Sequence, residues 1–139
     1  MRLSLIITVL AVILLGCGGG GGQLPVADMR PVGHWIGSEY GSITIGAPQS
    51  GIYPCAWDSG DFPGDPPLNG EGILDGEVFT ADFKDAGGLT PGDVWWHYRF
   101  AGKILGDAWS AQESEWITDA AGNVTHTIGS FALLFTRGS

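Results

Sequence analysis

Positive charge is scarce in this chain: six Lys or Arg stand against fifteen Asp or Glu in 139 residues, a formal net charge of −9. So few cations leave little with which to neutralise phosphates, which excludes nucleic acid as a partner and argues against adhesion to anionic headgroups. Cysteine is equally scarce. Two thiols, Cys17 and Cys55, cannot make a disulfide framework. Sustained helical periodicity is missing, and after residue 16 no apolar run approaches the ~20 residues of a membrane span. No Gly-x-Ser-x-Gly elbow occurs, and Cys55 has no His near it in sequence. His34, His97 and His126 lack any local zinc spacing, and Asp58, Asp61 and Asp65 match no calcium-loop pattern. We therefore expect no catalytic residue, no metal and no cofactor.

What the chain has in quantity is glycine and aromatics: 24 Gly, six Trp and six Phe. Gly-rich turns between short alternating runs are the pattern of an all-β domain. The alternation predicts strands at 33–40, 42–47, 52–57, 71–75, 77–84, 94–101, 103–110, 113–118, 123–128 and 130–137. Asp75-Gly76 is a strong hairpin signal, and Ala101-Gly102 and Ala121-Gly122 read as two more turns. Phe79, Ala81 and Phe83 fall on one face of their strand; Val94, Trp96, Tyr98 and Phe100 fall on one face of theirs, opposite Trp95, His97 and Arg99. Residues 58–70 and 85–93 read as the longest loops. Glu113 and Glu115, two apart, read as a solvated pair on a wet strand face, and Cys55 as a small buried hydrophobe among Tyr53, Pro54 and Trp57.

The first residues are organised differently. Arg2 precedes an uncharged stretch from Leu3 to Leu15, and Leu14-Leu15-Gly16-Cys17 closes it. This junction resembles the lipobox of bacterial lipoproteins, which implies a signal peptide over 1–16 and diacylglycerol on the Cys17 thiol. Two or three acyl chains would hold the chain firmly on a membrane. Gly18, in place of an Asp after the lipidated Cys, implies the outer membrane if the source is Gram-negative. Residues 17–30, with glycines 18–22, read as a flexible tether, and 31–139 as one folded domain. Counted from Cys17, five Lys or Arg face fifteen Asp or Glu, a net of −10.

Sequential hairpins predict an antiparallel meander closed into one small β-barrel, with a β-sandwich as the alternative. Gly33-His34-Trp35 early in the domain and Arg137 near its end resemble the lipocalin and avidin arrangement. There a Gly-x-Trp opens the first strand and a late Arg packs across that Trp to close the base. The resemblance implies those roles for Trp35 and Arg137.

The expected function is non-enzymatic binding at the cell envelope, of a small apolar or sugar-like ligand or of a protein on an aromatic surface. Trp95, Trp96, His97 and Tyr53 are the candidate ligand contacts, since an outward indole beside polar rings can stack on a sugar, an acyl chain or a partner. The alternative is an inhibitor or assembly partner of another envelope protein, such as a lysozyme or protease, docking through the acidic loop of Asp58, Asp61 and Asp65.

Overall fold

The computed structural model describes residues 26–60, 64–86 and 94–139. The expected signal peptide, Cys17, the expected tether up to residue 25, Asp61 and most of the expected 85–93 loop lie outside the described residues.

Eight antiparallel strands follow one another around a closed barrel. They are β1 (Gly33–Gly37), β2 (Ser42–Ile45), β3 (Ile52–Asp58), β4 (Leu68–Asp75), β5 (Val78–Asp85), β6 (Val94–Leu105), β7 (Ala108–Asp119) and β8 (Val124–Arg137). Every neighbour in space is a neighbour in sequence, and β8 returns to β1 through Trp35–Arg137, Ile36–Thr136 and Gly37–Phe135 pairs. The meander barrel is therefore the fold, and the sandwich is excluded.

Period-two alternation drives the closure. Trp35, Ile43, Ile45, Trp57, Phe79, Phe83, Phe100, Trp109 and Phe135 point inward and bury almost completely. The outer face carries Thr44, Glu71, Asp82, Lys84, Arg99, Lys103 and Gln112. The same outer face also exposes Ile36, Ile73, Val78 and Leu134, so it is mixed in polarity.

Large rings fit because β4 gives them room. A Cβ on Gly72 would lie 2.3 Å from a Phe79 ring carbon, and one on Gly70 would lie 2.5 Å from Phe83. The inward positions of β4 thus read Leu68, Gly70, Gly72, Leu74, and the two glycines admit the Phe rings of β5.

Three predicted breaks are absent. Gly102 sits inside β6, Gln112 inside β7 and Gly129 inside β8: the strand expected over 103–110 is split by a turn and its halves extend β6 and β7, while 123–128 and 130–137 merge into β8. Gly102 marks a close approach, not a turn: a Cβ there would come within 1.8 Å of the Ser110 carbonyl oxygen. The β6–β7 turn lies at Gly106-Asp107, with Gly106 at φ 60°. The β4–β5 turn is Gly76-Glu77, one residue later than the Asp-Gly signal suggests. At the β7–β8 turn, the Asp119 carboxylate accepts from the Ala121 and Asn123 amides, each at 2.9 Å, and from the Asn123 side chain. Those donors hold its pKa below the usual carboxylate value.

Candidate functional site

The two ends of the barrel differ in what fills them. At the base, the Arg137 guanidinium lies 4.5 Å over the Trp35 ring. It donates to the Val32 carbonyl at 2.5 Å, the Arg30 carbonyl at 2.8 Å and the Asp107 carboxylate at 2.9 Å. The Trp35 indole N–H donates to the Pro31 carbonyl at 2.7 Å. Gly33 is needed beside them, because its φ is 142° and a Cβ would come within 2.8 Å of the guanidinium. Tyr53 belongs to this end as well: it is 4 % exposed and its hydroxyl donates to the Asp28 carbonyl at 2.7 Å.

The opposite end is open. It lies where β3 finishes, β4 begins and β5 finishes, under the β1–β2 turn, and it holds a cavity of about 550 Å³. Tyr40, Trp57, Leu68 and Tyr98 supply its apolar wall. Trp57 is fixed by its N–H donating to the Tyr40 carbonyl at 3.0 Å and by edge contacts to Tyr98 at 4.8 Å and Phe100 at 5.1 Å. Asp58, Asp65, Asp85, Glu113 and Glu115 line the same space.

Glu113 is the unusual member. It is fully buried, and among the described residues neither carboxyl oxygen has a hydrogen-bond partner. Burial, reinforced by Glu115, pushes its pKa up to about 7. The solvated pair expected at Glu113 and Glu115 is corrected here. Because β7 runs unbroken from Ala108 to Asp119, these residues continue the inward face of Trp109 and Ala111. Parity with Trp109 was the available signal.

The four candidate contacts do not form one site. Tyr53 is in the base. Trp95 and His97 lie on the outer wall and engage their own neighbours: Lys84 sits 4.0 Å over Trp95, and His97 stacks on Trp116 at 5.1 Å with nearly parallel rings. His97 Nε2 also lies 2.8 Å from the Thr118 hydroxyl, and burial followed by Lys84 lowers its pKa. Beside them the Arg99–Asp82 ion pair, at 2.6 and 3.0 Å, borders a shallow outer groove of about 320 Å³. Trp96 faces inward on β6, its indole N–H buried without a partner among the described residues. Trp57, Tyr98 and Glu113 are the site residues that sequence reasoning did not single out.

Cys55 is a free thiol 4 % exposed, and burial raises its pKa to about 12, far from a reactive thiolate. Among the described residues no three His, Cys, Asp or Glu are placed to hold a metal ion. The chain matches no family model, no curated protein and no solved structure in the comparisons.

Proposed function

We propose that this chain is a bacterial envelope lipoprotein, anchored through Cys17, whose barrel takes up a small ligand at its open end without changing it chemically. The observation that carries the reading is the 550 Å³ cavity, walled by Trp57, Tyr98, Tyr40 and Leu68 and bearing a few polar groups. An eight-stranded barrel is just wide enough to be filled by side chains or to hold one small molecule. Here rings fill the base, and the cavity begins above Trp57 and Tyr98. The size and mixed lining are those of a ligand pocket, and no nucleophile–base pair lies among its described lining residues.

Two measurements test this reading. Labelled palmitate supplied to the producing cell should enter the full-length chain and be lost in Cys17→Ala. Native mass spectrometry of the envelope-purified protein should show a small-molecule adduct that Pro67→Trp removes, since Pro67 is an exposed lining position that an indole would roof over. A bare wild-type protein would favour the competing reading, capture of a basic envelope protein by the acidic loop around Asp58, Asp61 and Asp65. Exposed Asp65 supports that alternative, which predicts salt-sensitive association lost on replacing the three Asp by Asn.

A further inference from the structure

The mouth has a sign of charge and no counter-charge. Five carboxylates line it, and none of its described lining residues is Lys, Arg or His. The adjoining segments 61–63 and 87–93 contain no Lys, Arg or His in their sequence either. At the inner end of this field sits Glu113, fully buried, with the acidic Glu115 carboxyl as its neighbour and no cationic or amide donor at its oxygens among the described residues. A buried acceptor without a donor costs free energy that a suitable partner recovers. Trp57 and Tyr98 line the same cavity, packed edge to face with centroids 4.8 Å apart, and supply it with aromatic surface.

We propose that the ligand of this cavity is an organic cation: a primary or secondary ammonium on a small apolar or aromatic body. Its N–H groups donate to Glu113, and its body lies against Trp57 and Tyr98. The inference rests on the reading of the mouth as the ligand site. The donor requirement excludes a quaternary ammonium as the preferred ligand, since it satisfies the ring faces but leaves the Glu113 oxygens unpaired. A divalent metal is a poorer fit, because a hard cation needs six or more oxygens and the described carboxylates do not converge as ligands. Anionic ligands, fatty acids included, would enter against five carboxylates.

The test uses the full chain in lipid nanodiscs and calorimetric titration with matched pairs: hexylamine with hexanol, 2-phenylethylamine with 2-phenylethanol, and the N-trimethylated form of each amine. Each amine that binds should do so about tenfold or more tightly than its alcohol and its trimethyl form, a difference of ~1.4 kcal/mol. Glu113→Gln should erase that preference while the far-ultraviolet circular dichroism stays that of the wild type. Pro67→Trp should abolish binding altogether. If Pro67→Trp abolishes binding but amines never outbind alcohols, or Glu113→Gln leaves their preference intact, the mouth remains a ligand site and the cation assignment is wrong. If Pro67→Trp alters no binding, the mouth reading fails and the assignment falls with it. A trimethyl form that binds as tightly as its amine overturns the hydrogen-bonding role of Glu113.

Discussion

The base and the mouth of this barrel are built from the same residue types, an indole flanked by charge, and end in opposite states. At the base the charge is a cation and it is consumed: Arg137 covers Trp35 and spends its N–H groups on two carbonyls and Asp107. At the mouth the charge is anionic and unconsumed: Glu113 lies in the cavity with Trp57 and has no donor among the described residues. Satisfied polar groups make a lid, whereas unsatisfied ones beside open volume make a receptor. Among the described residues the indole N–H of Trp109 departs from this pattern, being buried without a partner although its ring packs on Trp35, Phe79 and Phe135.

If the base is the structural end, its truncation should be the costliest change in the chain. Trp35 is completely buried, and Trp35→Ala should destabilise by about 3–5 kcal/mol through lost burial and the cavity left behind. Urea unfolding at pH 7 would read the shift. A loss as small as that of a surface substitution would mean that the base is not what holds the barrel closed. Arg137→Ala comes next, at about 2 kcal/mol, because carbonyls of Val32 and Arg30 lose a charged donor while Asp107, largely exposed, regains water. The same unfolding series ranks the two, and the comparison fails if Arg137→Ala is the more damaging.

How much of this was legible depends on the distance over which each signal acts. Phe79-Ala81-Phe83 and Trp96-Tyr98-Phe100 announce their inward faces by alternation alone, and hairpin after hairpin leads to a meander barrel. Gly102 and Gly129 misled because glycine punctuates turns and also permits close packing, and only the neighbour, here Ser110 across the ladder, decides which. Glu113 was hidden by its charge: a carboxylate reads as wet until its strand is known to continue the face of Trp109. The meeting of Trp57 with Tyr98 had no local signal at all. They lie on β3 and β6, and the curvature of the two intervening strands brings their rings together.

The mouth yields an effect of opposite sign, no larger than that of Arg137→Ala, and it depends on pH. The Glu113 carboxyl has its pKa raised from 4.5 to about 7 in the folded chain. A raised pKa means that the fold holds the proton more tightly than the unfolded chain. The contribution is therefore complete below about pH 4.5 and is lost as pH rises through about 7. Glu113→Gln carries no such titration. It should match the wild type at pH 4.5 and be more stable at pH 8 by roughly 2 kcal/mol, allowing for partial solvation from the cavity. Urea midpoints of the two proteins across that range would show the gap opening with pH; a constant gap would mean that Glu113 keeps an ordinary pKa. Asp58, Asp65 and Asp85 line the same cavity, and Tyr98 faces it from β6, so they are shared by both proteins, whereas Glu115 acts directly on Glu113 and the gap reports the two together. An ammonium ligand should reverse the trend in the wild type alone, since pairing favours the carboxylate and releases the proton. The bound wild type then gains on the variant as pH rises, whereas the empty wild type loses. A base closed by its own arginine has no reason to respond in this way, and a mouth waiting for a cation does.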